Sequence, residues 1–355
     1  MIHVKNRLHL AALAVLVPAV VALGQATATA PVEVVPLNRK QLRQRAIDEL
    51  VSASLSPHPS LRANAIEGMQ VMPDRARSMV LKGMKDPNAG VRFAAVVTSG
   101  ILRFKSMTPA LHPLLGDENA SVRAAAIYAL HRLGQKIDLT PLADMLRGPD
   151  PALRSNVALL LGLLGDRSAV GLLASTAGVP MPRISAARAA VVRLQVAEAS
   201  ALLGDNKALS VLRAGVHSPM GEIQVLAINA LGAVGDERGA AVLQTILFQD
   251  RPGPQYPVEV RLAAAGTLAR IAGKKKLAEP KLSGWLGRME SKAREVALGQ
   301  ATHAQPAVRA QTAWVLGWFR DEKSEKGLGR LIQDPDPTVR VTAAAAALRR
   351  LGARG

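Results

Sequence analysis

The side chains that could do chemistry in this chain are few and scattered. Its seven histidines include no pair at the i, i+4 spacing of a helical metal site, and there is no H-E-x-x-H motif. The nucleophile motif G-x-S-x-G, the P-loop and a G-x-G-x-x-G turn between strand and helix are also absent. The sequence holds no cysteine, which excludes disulfides and thiolate chemistry. We therefore predict a protein that is not an enzyme and that needs no cofactor or metal.

A second set of chemically active side chains is an arginine column that recurs along the chain. Its positions are Arg62, Arg92, Arg123, Arg154, Arg193, Gln224, Arg261, Arg309 and Arg340. A cation in the first turn of a helix faces the unfavourable end of the helix dipole, so a carboxylate should offset it. In three copies an aspartate stands six residues before the arginine. The spacing predicts a structural ladder rather than a row of phosphate-binding groups, with the members Asp86, Arg92, Asp117, Arg123, Arg154, Asp334 and Arg340.

The element that positions these side chains is clearest between Gly116 and Gly134, which read GDENASVRAAAIYALHRLG. Asp117 and Asn119 suit a turn because their side chains can satisfy nearby backbone N–H groups. Apolar residues then follow the arginine at +3, +4, +7 and +10, which is one face of a helix. The closing glycine suits the left-handed conformation that often ends a helix. The segment predicts a turn followed by an amphipathic helix.

This unit repeats along the chain. Five steps between successive column positions are 30 or 31 residues, and the other three are 39, 37 and 48. A self-similar period near 31 residues with two helices per unit is typical of a stacked solenoid. The register at Arg193 is the hardest to assign, because the copy there lacks the turn that introduces the others.

The D-P-x-x-x-V-R start, the alanine-rich second helix and the L-G-D exit resemble HEAT repeats, in particular the short bacterial kind also found in phycobilisome lyases. The resemblance implies an all-α, right-handed α-solenoid of about nine HEAT-like helix pairs over residues 38–355. At about 8–10 Å per packed helix layer, such a solenoid is expected to be roughly 80–90 Å long. Repeats of this kind serve many unrelated roles, so the fold alone does not assign a function.

The face of each second helix opposite its core contains positions +2, +5 and +9 of the repeat. This stripe is mostly apolar or amide-bearing and includes two of the three tryptophans. Tryptophan is enriched at interface hot spots. An apolar stripe on the outside of a helix pair is unfavourable in water, so we expect something to cover it. Either a partner covers it, or the solenoid curls so tightly that the stripe packs on itself. The candidate partner-binding residues are Tyr128, Arg132, Leu159, Leu163, Asn229, Arg270, Trp314 and Trp318.

The first residues have the layout of a secretory signal peptide. Lys5 and Arg7 precede the apolar run 8–23, and small residues follow it up to a cleavage site after Ala28. The run is short for a membrane span of ~20 residues. We expect a signal peptide over 1–28, a linker over 29–37, and an exported protein, periplasmic or extracellular, with no transmembrane span after removal of the signal. An uncleaved anchor is the alternative.

These features favour a non-enzymatic exported scaffold that binds a protein or peptide partner through the concave face of the solenoid. The net charge of +18 supports an alternative, a basic solenoid that binds an anionic polymer or nucleic acid, or that associates with an anionic envelope surface. The stripe carries few cations, which speaks against nucleic acid as the partner. The resemblance alone implies a third reading, a lyase-like enzyme or enzyme accessory. Insertions near 178–183, 251–256 and 273–280 are expected to be loops, either on a binding face or neutral.

Overall fold

The computed structural model of the protein describes residues 34–352, apart from 177, 180, 182–183, 249–255 and 279–282. The predicted signal peptide, part of the linker and parts of the three insertions therefore lie outside the described residues. The loop expected near 273–280 is wrong for residues 273–278, which continue the helix that begins at Val258, because the Lys, Leu and Ala residues there are good helix formers. The described chain forms α-helices and short 3₁₀ turns without strands. The α-helices are α1 Arg39–Ala53, α2 Pro59–Gly68, α3 Pro73–Gly83, α4 Ala89–Ile101, α5 Thr108–Leu111, α6 Ala120–Arg132, α7 Thr140–Arg147, α8 Pro151–Leu164, α9 Ala169–Thr176, α10 Ala186–Leu202, α11 Asn206–Gly215, α12 Gly221–Val234, α13 Ala240–Phe248, α14 Val258–Ala278, α15 Ser283–Leu298, α16 Pro306–Leu316, α17 Glu322–Leu331 and α18 Pro337–Leu351.

Local sequence explains where the second helix of each pair begins and ends. Asn119 caps α6 by accepting hydrogen bonds from the backbone N–H groups of Ser121 and Val122. Asn88, Asp150 and Asp336 do the same for α4, α8 and α18. Such caps each stabilise a helix by about 1 kcal/mol. At the other end Gly134 has φ +87°, the left-handed conformation predicted for it.

The predicted core face is confirmed. Val196, Ala197, Ser200 and Leu203, which stand at +3, +4, +7 and +10 from Arg193, are all buried, as are their counterparts after Arg123. The register at Arg193 is therefore consistent with the others. The copy differs because α10 starts at Ala186, about one turn earlier relative to the column position than α6 does, and Arg193 itself is exposed.

The helices form nine consecutive pairs, and the pairs close into a ring. The second helices α2, α4, α6, α8, α10, α12, α14, α16 and α18 contact one another in that order, and α18 then packs against α2. First helices of neighbouring pairs touch far less, so the second helices form the inner wall. We call the place where the last pair meets the first pair the seam. There α1 packs on α18 in the way that α15 packs on α14. The first pair thus takes the place that a tenth pair would take.

The expected elongated solenoid of roughly 80–90 Å is therefore wrong, although the pairs and their stacking are as predicted. Side-chain bonds also join the two ends of the described chain. Gln333 accepts a hydrogen bond from the Val35 backbone N–H at 3.2 Å and donates one to the Val35 carbonyl at 2.9 Å. A small rotation at each repeat, summed over nine repeats, brings the last pair back to the first.

In the described part of the chain, no helix combines the length and apolarity needed to cross a bilayer.

Candidate functional site: the lumen of the ring

The arginine column forms a ladder, but not with the pairing that the six-residue spacing suggested. Arg92 donates two hydrogen bonds, at 2.8 and 2.9 Å, to the carboxylate of Asp117 in the following repeat. Within its own repeat Arg92 donates only to the backbone carbonyls of Asp86 and Pro87. Arg62 with Asp86 and Arg309 with Asp334 repeat this geometry. Each rung therefore clamps two neighbouring repeats together.

The ladder also crosses the seam. Arg340 is the last arginine of the column, and its Nε donates to Glu49 of α1 at 2.9 Å. In the middle of the chain, as expected, the carboxylates are missing. Arg123 donates to the carbonyls of Asp117 and Glu118, and Arg154 donates to those of Gly148 and Val179. These two arginines therefore bind backbone carbonyls and do not form an ion pair with any described residue.

The stripe at +2, +5 and +9 lines the lumen in three layers, because the inner helices all run in the same direction. Nine helices spaced about 8–10 Å apart make a ring about 25 Å across at the helix axes. Subtracting one helix diameter of about 10–12 Å, side chains included, leaves a lumen of about 13–15 Å. The +2 layer is rich in amides, which come from Asn64, Asn156, Gln195 and Gln311. The +9 layer holds Arg132, Arg270 and Arg349 together with Trp318.

The structure places the predicted partner-binding residues around this lumen, and two of them are buried. Tyr128 is 1 % exposed and packs against Gly100 of α4, so it forms part of the wall rather than a free contact. Arg270 is 5 % exposed. The others are partly exposed: Arg132, Leu159, Leu163, Asn229, Trp314 and Trp318. Their role in binding stays a prediction, and the surface they offer is the inside of a ring rather than an open groove.

A cluster of tryptophan and arginine side chains lies where α14, α16 and α18 face the lumen. Trp314 and Trp318 pack edge to face with ring centroids 5.8 Å apart. The guanidinium of Arg349 lies 4.2 Å from the centroid of Trp318, and that of Arg270 lies 5.0 Å from it. Arg349 also donates to the Trp314 carbonyl at 2.7 Å. The two tryptophans are thus partly covered by the chain's own arginines.

Two lumen carboxyls lie in surroundings that disfavour their charge. Burial raises the pKa of Glu67 on α2 to about 8. Burial also raises the pKa of Glu198 on α10 to about 7, although the nearby Arg270 opposes the shift. Both residues retain some exposure to the lumen while protein surrounds them. Glu67, Glu198 and Arg349 are not among the site residues predicted from the repeat pattern, because only ring closure places their helices around one space.

Unsatisfied polar atoms gather on this wall. The lumen side chains of Glu67, Arg132, Asn229, Trp318 and Arg349 each have a buried nitrogen or oxygen without a hydrogen-bond partner in the structure. Buried polar atoms are usually paired, and clusters of unpaired ones mark places where water or a ligand completes the bonding. No group of histidine and acidic side chains in the described chain could hold a metal ion. The wall is therefore suited to polar binding.

A second concavity lies at the outer edge of the seam, lined by Glu49, Pro57, Pro337 and Arg340. The guanidinium of Arg340 and the carboxylate of Glu49 form an ion pair across the seam, so neither charge is left free for a ligand. The lumen is the stronger candidate site.

Replacing Glu67 with glutamine should raise the melting temperature at pH 8 and change it little near pH 4.5. The folded-state pKa is about 8 against an ordinary 4.5, so the folded protein binds this proton more tightly than the unfolded chain. Stability is therefore lost as the pH rises through this window. Water in the lumen screens the charge of Glu67 and reduces its cost. We therefore expect Glu67→Gln to raise the free energy of unfolding by about 1–3 kcal/mol at pH 8. The exposed Glu118→Gln is the control, and an equal gain at both pH values would contradict the assignment.

Comparisons with known proteins find helical repeats of one family. A profile described as HEAT repeats matches residues 295–354, and one described as HEAT repeat matches residues 108–137. A protein named "Uncharacterized phycocyanin operon protein Z", from Pseudanabaena tenuis (strain PCC 7409), is 27% identical over 224 residues. That match covers 62% of this chain and 94% of the relative.

Among solved structures, the complex of CpcE and CpcF of phycocyanin lyase from Nostoc sp. PCC7120 matches with 18% identity and a TM-score of 0.44. The match covers 77% of this chain and 100% of that one. A mutant of the karyopherin-type protein Kap121p matches with 15% identity and a TM-score of 0.36, covering 88% of this chain and 38% of that one.

Proposed function

We propose, from the premise that this chain is built from HEAT repeats, that it is a non-enzymatic binding protein whose partner is a protein or peptide held in the lumen. The observation that carries the proposal is the wall itself, which combines partly exposed leucines and tryptophans with unsatisfied polar atoms. An extended peptide needs both kinds of contact, because its backbone is polar and its side chains are mixed. A lumen of about 13–15 Å has room for one such segment.

The predicted signal peptide supports a site of action outside the cytoplasm. The proposed localisation is the periplasm or the extracellular space, and the support is the order of charged, apolar and small residues over 1–28. N-terminal sequencing of the protein isolated from its native cells tests this. Cleavage after Ala28 supports export, and an intact N-terminus in a cytoplasmic fraction contradicts it.

The lumen assignment is tested by capture from envelope extract with matched variants. The wild type is compared with Trp314→Ala/Trp318→Ala, which strips the wall, and with Leu81→Ala/Val211→Ala, which strips two exposed residues of outer helices. We expect the lumen variant to lose a partner that the outer-face variant retains, with both variants folded by circular dichroism. The proposal would be overturned if the outer-face variant lost the partner, or if both variants still captured it.

The alternative of an anionic polymer has one supporting observation, the net charge of +18. It predicts capture that falls steeply with salt and that does not depend on Trp314 and Trp318. A lyase-like or accessory role is a further alternative. Its support is the similarity to the phycocyanin operon protein, which is itself uncharacterized.

A further inference from the structure

Arg270 is a buried cation that lacks a hydrogen-bond or ion-pair partner in the part of the chain that the structure describes. Its side chain is 5 % exposed, and it makes no hydrogen bond or ion pair with any described residue. Its one close favourable contact is the face of Trp318 at 5.0 Å. A single cation–π contact offsets only part of the cost of burying an unpaired charge. The local structure therefore leaves Arg270 undercompensated.

Helix electrostatics do not account for this arginine. Cations are favourable in the last turn of a helix, which explains Arg349 near the end of α18. Arg270 lies in the interior of the 21-residue helix α14, more than a turn from its end at Ala278. The nearest carboxyl that influences it is Glu198, which does not form an ion pair with it and has a pKa of about 7. At neutral pH Glu198 is only partly charged.

Two further donors lie in the same cluster. The Nε of Arg349 and the Nε1 of Trp318 are buried and have no hydrogen-bond partner. Both guanidiniums lie over the Trp318 ring, so the three side chains form one group. The two cations are close enough for Arg270 to lower the pKa of Arg349 further, beyond the effect of burial. Both stay charged at neutral pH because guanidinium does not deprotonate in proteins.

We propose that Arg270, Arg349 and the indole N–H of Trp318 bind a carboxylate carried by the lumen partner. A planar carboxylate accepts paired hydrogen bonds from guanidinium forks and a third from an indole. The carbonyl dipoles at the ends of α16 and α18 disfavour any anion nearby, and they disfavour a dianionic phosphate more than a monoanionic carboxylate. The inference rests on the proposed function and adds the chemistry of the recognised group. The carboxylate belongs either to an acidic side chain or to a peptide C-terminus.

The test uses the indole N–H signal of Trp318 in the full protein labelled with ¹⁵N-tryptophan and assigned with Trp318→Phe. The probes are Ac-Ala-Ala-Glu-Ala-Ala-NH₂, Ac-Ala-Ala-Gln-Ala-Ala-NH₂, Ac-Ala-Ala-Ala-Ala-Ala with a free C-terminus, and inorganic phosphate. We expect saturable shifts with at least one carboxylate peptide and none with the glutamine amide. The responding peptide identifies the source of the carboxylate. Equal shifts with the glutamine amide or with phosphate would overturn the proposal.

Variants separate this site from the general positive charge of the protein. Arg270→Gln should weaken carboxylate-peptide binding by about tenfold or more, as expected for loss of a charged hydrogen-bond donor. Arg349→Gln should act in the same direction and is a second variant in case the first is misfolded. Arg193→Gln removes the same charge from an exposed position of α10 outside the cluster and should leave binding within about twofold of wild type. Equal weakening by Arg193→Gln would contradict a defined site.

The two proposals fail separately. If capture from extract does not depend on the lumen but Trp318 responds to carboxylate peptides, the site stands and the proposed function fails. If capture depends on Trp314 and Trp318 but no carboxylate peptide shifts the indole signal, the function stands and this inference fails.

Discussion

Replacing Leu130 with alanine should lower the free energy of unfolding by about 2–5 kcal/mol. Leu130 lies at +7 on the core face of α6 and is fully buried, so its truncation leaves a cavity between packed helices. Leu81→Ala is the matched control, because Leu81 on α3 is 44% exposed. Chemical denaturation of the two variants measures the difference, and a control loss equal to that of Leu130→Ala would contradict the assigned core face.

The loss at Leu130 should be local. Each repeat contacts mainly its neighbours, so hydrogen exchange in Leu130→Ala should accelerate most in α4, α6 and α8. Uniform acceleration around the ring, or no acceleration, is the result that a stack of repeats does not allow.

Replacing Asp117 with alanine should cost about 2–4 kcal/mol. The change removes both carboxylate oxygens from Arg92, whose side chain is only 10% exposed, and leaves a nearly buried cation without its partner. It also removes the hydrogen bond from the Asn119 backbone N–H. Ion pairs of this burial are costly to break, in contrast to exposed pairs.

Glu118→Ala is the matched control for this change. Glu118 also contacts Arg92, at 3.2 Å, but its side chain is 85% exposed and it should contribute less than about 0.5 kcal/mol. The pKa of Asp117 is lowered: burial opposes the shift, and the hydrogen bonds from Arg92 and the Asn119 backbone outweigh it. The difference in the free energy of unfolding between Asp117→Ala and Glu118→Ala should therefore shrink as the pH falls below about 4 and the Asp117 carboxylate of the parent protein becomes protonated. Equal melting temperatures at neutral pH would remove the ladder from the account.

The helices and their buried faces could be predicted because their signals are local. The apolar positions after Arg123, the Asn119 cap and the left-handed Gly134 each depend on residues within one repeat. Ring closure could not be predicted in this way. It depends on the angle between successive pairs, and a small change in that angle would separate α18 from α1.

The candidate site shows the same division. The sequence pattern placed Trp314, Trp318 and Arg270 on one stripe, and in the structure the three side chains contact one another. Their grouping with Arg349 requires three helices to pack side by side at defined distances. The pairing direction of Arg92 was missed for a related reason. The Asp86 side chain bonds Arg62 of the preceding repeat and its own turn at Asn88, so Arg92 is left with the Asp86 carbonyl.

Closure of the ring is the claim on which the lumen and its chemistry depend, and a disulfide across the seam tests it most directly. The chain has no cysteine, so an introduced pair of cysteines has no other thiol in the same molecule to react with. A Cβ built on Gly68 of α2 would lie 2.8 Å from that of Ala345 on α18, within about 1 Å of the separation in disulfides. The pair Gly162→Cys/Ala199→Cys, between neighbouring helices α8 and α10, is the positive control at 3.4 Å. Under mild oxidation Gly68→Cys/Ala345→Cys should form an intramolecular disulfide as completely as the control pair. Oxidation of the control pair alone, with the seam pair left as free thiols, would show that the solenoid is open.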